Sequence, residues 1–446
     1  MGRTTALVSD SASPAVIYIF MHFFAPLIKR RIDKVSKVLF LMELYFFDPK
    51  IFDNLPNSER KKYTELINSL AIPAGRPFFL DKNHVPDKEL DGFCSYLLEP
   101  RRRSPNTWRT YANQISLFLR FVEAQKKTWK DVTRKDLLTY YRVRTTGDFQ
   151  DGNIIKGQSW NVTASAVVHL YEYGVEAGIV EVLPYKYRKS RAMFGRGHTE
   201  TSELIVNTIP ERVNFISITN YKTLWRPALA QQRNAQRNLA LSDLLITVGL
   251  RISEALSLQT HQLPDPDNIK FAGKKSVSIR VVGKGSKPRT VLVPKRIMRA
   301  LRFYIDEDRQ TALKALSRKK KKYKPTNHVF LSEKGTRLSA RDVQRFFAGI
   351  SKRTGLRLSP HGCRHTFAVY QLEAMIKRMA LNLRELKQHG ADAYRQVLND
   401  PLRQLQLLLG HSMLSSTYIY LDFLEESETL VDESLNDWSD WERQHG

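Results

Sequence analysis

Six residues in the C-terminal half of this 446-residue chain have the types that phosphodiester chemistry needs, in the order Arg251, Lys284, His361, Arg364, His411 and Tyr420. A phosphodiester under attack builds negative charge on its non-bridging oxygens, and planar guanidinium forks stabilise that charge better than ammonium groups do. Arg251 and Arg364 suit that task. A phenol with a free pKa of about 10 is a weak nucleophile, so Tyr420 needs a base or strongly positive surroundings. The departing sugar oxygen is as basic as an alcohol and must gain a proton as it leaves. The set can therefore clamp a phosphodiester, attack it and expel a sugar oxygen without a metal ion or other cofactor. Glu254 lies three residues beyond Arg251, one helical turn on, where its carboxylate can brace the guanidinium.

Taken singly, each residue has an ordinary reading: a surface arginine, a basic hairpin turn, a helix cap, a core aromatic. Their joint order and local contexts set them apart. Arg251 sits in Gly249-Leu250-Arg251-Ile252-Ser253-Glu254, and Lys284 in Val282-Gly283-Lys284-Gly285. His361 and Arg364 sit in His361-Gly362-Cys363-Arg364-His365-Thr366-Phe367, and His411 in Leu409-Gly410-His411-Ser412. Over roughly residues 100 to 425 the chain resembles the tyrosine recombinases, also called the phage integrase family. That resemblance implies roles residue by residue. Lys284, on a β-hairpin, would protonate the leaving 5′ oxygen. His361 would be the general base or proton relay, and His411 a second hydrogen-bond donor to the phosphate.

The family's nucleophile stands nine positions after the Leu-Gly-His histidine, which selects Tyr420 and leaves Tyr418 as the fallback. On a helix, two residues turn about 200°, so the two phenols cannot substitute for one another. Leu421-Asp422-Phe423 also resembles the stretch just after the nucleophile in bacterial chromosome-dimer-resolving recombinases.

Composition agrees with a polyanion partner. The net charge is +26 and the sequence pI about 9.9, on a chain that is 42% hydrophobic and so able to bury real cores. Charge alone does not separate DNA from an anionic membrane; the phosphodiester set favours double-stranded DNA. Two cysteines, Cys94 and Cys363, show no paired or metal-ligating spacing, which fits a reducing cytoplasm. The apolar run Ala15 to Ile28 is too short to span about 30 Å of hydrocarbon as a helix, and it lacks the marks of a secretory signal. No membrane role is expected. With a second apolar stretch, Val38 to Phe47, it belongs to an N-terminal extension (1–77) that reads either as an accessory helical module or as sequence upstream of a true start near Met42.

The remaining chain must position the six residues. Residues 78–190 read as helical: Trp108, Tyr111, Ile115, Phe118, Leu119 and Val122 recur at helical spacing, Thr133 can cap a second helix, and a third runs from about Trp160 to Ala177. By resemblance this is a core-binding domain, with Arg101, Arg102, Arg103, Arg109 and Lys156 as candidate phosphate contacts. Residues 191–212 read as a linker, polar and without helical period. The catalytic domain (213–420) should be α+β. A helix from about Asn234 to Val248 delivers Arg251, and a hairpin of Ser276 to Val282 with Thr290 to Val293 carries Lys284 at its tip. Lys287 and Arg289 beside that turn are further candidate DNA contacts, and Arg318 to Lys322 is a solvated charge run that reads as a DNA-facing loop, with a targeting signal as the alternative. The whole is expected to be mainly α with a small β-sheet, and the resemblance implies that the two domains form a C-shaped clamp.

Two features depart from the family. His361 and His411 are 50 residues apart, a longer interval than usual, which implies an insertion at about 372–402. The tail 421–446 carries nine acidic residues and no basic one between Asp422 and Glu442, a composition suited to docking on a basic neighbour. The resemblance implies a site-specific recombinase or integrase with a 3′-phosphotyrosyl intermediate, monomeric or dimeric off DNA and tetrameric on it, cytoplasmic and nucleoid-associated. A type IB topoisomerase, a telomere resolvase and a non-catalytic DNA-binding relative remain the alternatives.

Overall fold

The structure, a computed structural model, describes residues 42–409 apart from 55, 70–71, 82–84, 100–104, 149–153, 192–197, 209–213, 284–287, 320–323 and 388–400, together with 417 and 420. The chain divides into two compact units, 1–209 and 210–446. Among the described residues each is mainly helical, and the strands form three two-stranded antiparallel sheets.

In the first unit, β1 (Met42–Phe46) pairs with β2 (Pro77–Asp81), with α1 (Asn57–Ser69) between them in sequence. There follow α2 (Lys88–Leu98), α3 (Pro105–Ala124), α4 (Arg134–Thr146) and α5 (Gly157–Glu176). On α3 the stripe Trp108, Ala112, Ile115, Phe118, Leu119 and Val122 is buried, as its spacing predicts. Each of its larger side chains contributes about 1.5–3 kcal/mol by leaving water. The start of α4 is fixed by a reciprocal cap between Thr133 and Asp136, and its end by Gly147 at φ 89°. Met42–Phe46 lies inside the apolar stretch assigned to the N-terminal extension, yet it is a strand of this unit. Its Phe46 ring lies 4.4 Å beneath the Arg109 guanidinium.

Part of the segment expected to link the units, 198–208, is described and belongs to the first unit. Strands β3 (Tyr187–Arg191) and β4 (His198–Ser202) form a hairpin, and the chain beyond it docks on the helices. The Trp160 Nε1–H donates to Leu204 O at 2.7 Å, Asn161 exchanges two bonds with the Val206 backbone, and Arg134 forks onto Glu203. Its strands show no apolar alternation in sequence and are held by backbone pairing.

In the second unit, a helical run over 218–230 precedes α6 (Ala235–Val248) and α7 (Ile252–Ser257). Leu241, Leu244, Leu245 and Val248 of α6 are buried. Its buried Asp243 is satisfied by the Tyr221 hydroxyl at 2.8 Å and by Arg226. The hairpin β5 (Ser276–Val282) and β6 (Pro288–Pro294) turns Val277, Ile279, Val281, Val291 and Val293 into the same core. After α8 (Lys295–Tyr304), α9 (Gln310–Lys319) and α10 (Ala340–Thr354) comes the 28-residue α11 (Pro360–Lys387), then α12 (Pro401–Leu409), which opens on a proline. Residues 372–387 of the segment expected as an insertion are the C-terminal part of α11.

Candidate active site

Gly249 makes the turn that delivers Arg251. It ends α6 at φ +67°, and a Cβ built on it would lie 2.2 Å from the Phe367 ring, so both conformation and packing demand glycine. The chain then extends through Arg251 and enters α7, whose third residue is Glu254. The Glu254 carboxylate accepts the Arg251 backbone N–H at 2.8 Å and the Arg251 Nη1 at 3.0 Å. This is the brace expected from the spacing, but it is larger than expected. Arg289 on β6 donates Nη1 and Nη2 to the two Glu254 oxygens at 2.7 and 2.9 Å. The sequence makes Arg289 a candidate DNA contact; its fork is instead turned inward, its side chain 15% exposed, onto a carboxylate that is 1% exposed. One buried anion thus holds two guanidinium groups, leaving the cluster net positive.

The first turns of α11 supply His361, Arg364 and His365. Arg364 is buried and ties two segments together: its Nη1 donates to Gly249 O at 2.6 Å and its Nη2 to Leu409 O at the end of α12. The same side chain therefore fixes the turn before Arg251 and the helix that precedes the Leu409-Gly410-His411 motif. Burial, reinforced by the neighbouring Arg251 charge, lowers its pKa to about 10, so it stays cationic at neutral pH. His361 is exposed, yet desolvation of its ring nitrogens, and then the Arg364 and Arg251 charges, push its pKa down. These effects favour its neutral form.

Tyr420 is buried against Ala368, Val369, Leu372, Leu405 and Leu409. Its hydroxyl lies 3.0 Å from His365 Nδ1, and the His365 ring packs edge-on against His361 with centroids 4.2 Å apart. Burial raises the phenol to about 12, against the opposing pull of Arg364 and then Arg251. Arg251, His361, Arg364 and Tyr420 thus come together in one electrostatically coupled cluster. Lys284, Lys287, His411, Tyr418, Arg101, Arg102 and Arg103 lie outside the described residues. Arg109 is exposed on α3, stacked on Phe46.

Two participants were not anticipated. Arg289 as a brace has only a cross-hairpin signal, its pairing opposite Val281. His365 has a local one: with His361 it makes an i, i+4 pair on one helix face. Both cysteines are free and buried. Among the described residues no helix is long and apolar enough to cross a membrane, and no group of three or more His, Cys, Asp or Glu side chains is placed to hold a metal.

Two family models match the chain: "Phage integrase family" over residues 216–383, and "Phage integrase, N-terminal SAM-like domain" over 90–178. Among curated proteins, the Tyrosine recombinase XerC of Pseudomonas savastanoi pv. phaseolicola is 27% identical over 341 residues, 76% of this chain and 92% of the relative. That of Pseudomonas fluorescens is 28% identical, covering 75% and 92%. Among solved structures, the XerH site-specific recombinase bound to a palindromic difH substrate aligns over 88% of this chain and 93% of its own, with 17% identity and a TM-score of 0.48. The two matched models fall, in chain order, within the first unit and within the second, where the matched span includes Arg251, His361 and Arg364. The chain belongs to the phage integrase family, the tyrosine recombinases.

Proposed function

We propose that this recombinase cleaves and rejoins double-stranded DNA through a covalent link between Tyr420 and a 3′ phosphate. The Tyr420 oxygen attacks the phosphorus, the bond to the 5′ oxygen breaks, and Arg251 and Arg364 hold the charge that builds on the non-bridging oxygens. Lys284, by its place in the motif, gives the 5′ oxygen its proton; His361 and His411 complete the phosphate's surroundings. A 5′ hydroxyl from a partner duplex then attacks the phosphotyrosyl bond. One ester replaces another, so no ATP is consumed.

The observation that carries this reading is the convergence of Arg251, Arg364, His361 and Tyr420 around one braced, net-positive cluster. The Tyr420 ring is buried, with its hydroxyl 3.0 Å from His365 Nδ1. The excess of 26 positive charges supplies the phosphate-backbone affinity. Two such exchanges within a DNA-bound tetramer would recombine two duplexes, a chemistry fit for integrating or mobilising a genetic element in the cytoplasm.

A DNA duplex carrying its cleavage site with a nick just downstream tests this. Loss of the short fragment should trap the chain covalently on the 3′ end, and two intact duplexes should yield a four-way junction. Absence of any covalent complex would refute the proposal. A covalent complex without a junction would assign the chain to strand relaxation or end resealing in place of exchange.

A further inference from the structure

We propose that His365, not His361, takes the proton from the Tyr420 hydroxyl during cleavage and returns it during rejoining. The inference rests on Tyr420 being the nucleophile. His365 brings a ring nitrogen within hydrogen-bond reach of that hydroxyl: its Nδ1 lies 3.0 Å from the phenolic oxygen. A general base has to stand at about this distance from the proton it removes. His361, which the motif alone would nominate, stands one turn earlier on α11 and is exposed. Its ring meets His365 edge-on at 4.2 Å, tilted by 71°, which fixes the His365 ring against the phenol.

The surroundings make a local acceptor necessary. Burial raises the Tyr420 pKa to about 12, so the phenolate is scarce before attack even with Arg364 and Arg251 nearby. The proton must leave as the oxygen–phosphorus bond forms. His365 receives it with Nδ1 unprotonated and Nε2 carrying the hydrogen. The balance is then complete. The Tyr420 O–H proton passes to His365 Nδ1, the Tyr420 oxygen bonds to phosphorus, the bond from phosphorus to the 5′ oxygen breaks, and the 5′ oxygen takes a proton from Lys284. In rejoining, the attacking 5′ hydroxyl gives its proton back to the Lys284 amine as its oxygen bonds to phosphorus, the bond from phosphorus to the Tyr420 oxygen breaks, and the His365 imidazolium protonates that departing oxygen.

His365→Asn is the test variant, because its amide oxygen can accept a hydrogen bond near the Nδ1 position but cannot carry a proton away. Two rates are read on the full chain. The first is single-turnover formation of the covalent DNA complex, which His365→Asn should slow by about 100-fold or more. The second is ligation of a 5′-hydroxyl strand to a 3′-(4-nitrophenyl phosphate) strand, measured on a Tyr420→Phe background with and without His365→Asn. Nitrophenolate leaves without needing a proton, so this rate should change by less than about threefold. Equal loss of both rates would make His365 a structural residue and overturn the proposal, as would cleavage by His365→Asn near the wild-type rate. Persistence of the covalent complex in Tyr420→Phe would instead defeat the underlying assignment of the nucleophile, independently of His365.

Discussion

Arg289 and Glu254 form a two-point ion pair, 2.7 and 2.9 Å, between strand β6 and helix α7. Glu254 also holds Arg251, so the hairpin over 276–294 and the turn that carries Arg251 are braced by one buried carboxylate. The position of that hairpin relative to the Arg251 guanidinium is thereby built into the core of the second unit.

Arg289→Gln should consequently act on chemistry and spare DNA affinity. Removing its fork leaves a buried carboxylate underpaired and lets Arg251 drift, so single-turnover cleavage should fall by roughly tenfold or more. The slope of log affinity against log salt should stay within experimental error of wild type. A residue that held a phosphate would lower the slope by about one and weaken binding directly. A changed slope with unchanged cleavage would return Arg289 to the DNA interface.

Gly249→Ala tests the turn. A Cβ there must adopt a left-handed backbone and meet the Phe367 ring at 2.2 Å. The cost should be at least about 2 kcal/mol, a melting shift of roughly 4–8 °C for a unit of this size. Cleavage should fall with it, because Arg251 comes two residues on and Gly249 O anchors Arg364. A variant that melts with the wild type would contradict this turn geometry.

Acid stability should carry the signature of Asp136. Burial pushes its carboxyl up, but the hydrogen bonds from Lys127 and Thr133 outweigh it and hold the pKa at about 2. The folded value lies below the unfolded one, so the contribution is fully present above about pH 4 and is lost as pH falls through about 2. It amounts to about 2 kcal/mol in the helical unit. Denaturant midpoints at pH 6 and pH 2.5 should therefore differ more for the wild type than for Asp136→Asn. Equal differences would remove Asp136 as the cause.

The candidate site could be proposed from the sequence because the chemistry assigned to it is written in residue type and order. Arg251, His361, Arg364 and Tyr420 could be named before any fold, and the Arg251–Glu254 contact is implied by a three-residue spacing. What escaped were contacts with no sequence period. His365 meets Tyr420 across 55 residues, and Arg289 meets Glu254 across 35. The hairpin over 187–202 escaped for a different reason: its strands, Tyr-Arg-Lys-Ser-Arg and His-Thr-Glu-Thr-Ser, show no apolar alternation and are held by backbone pairing. Helix α3 was the converse case, since a stripe buried along 20 residues leaves a strong periodic trace.

The charge that builds in cleavage is assigned to guanidinium groups, so their shape should matter and added metal should not. Arg251→Lys and Arg364→Lys should each slow cleavage by about 100-fold or more, because an ammonium cannot reproduce a two-point fork. Arg364→Lys would in addition lose one of the carbonyls of Gly249 and Leu409. Wild-type cleavage should proceed at an unchanged rate in excess EDTA. Strict dependence on added Mg²⁺ would point to another mechanism.

Everything in the proposed reaction depends on Tyr420 becoming joined to DNA. That bond can be located by trapping the chain on a nicked duplex, digesting protein and DNA, and sequencing the nucleotide-bearing peptide by mass spectrometry. The adduct should map to Tyr420 and vanish in Tyr420→Phe, while DNA binding stays nearly intact because only one hydroxyl is lost and phosphate contacts supply most of the affinity. An adduct on Tyr418, or one that persists in Tyr420→Phe, would show that another side chain is the nucleophile.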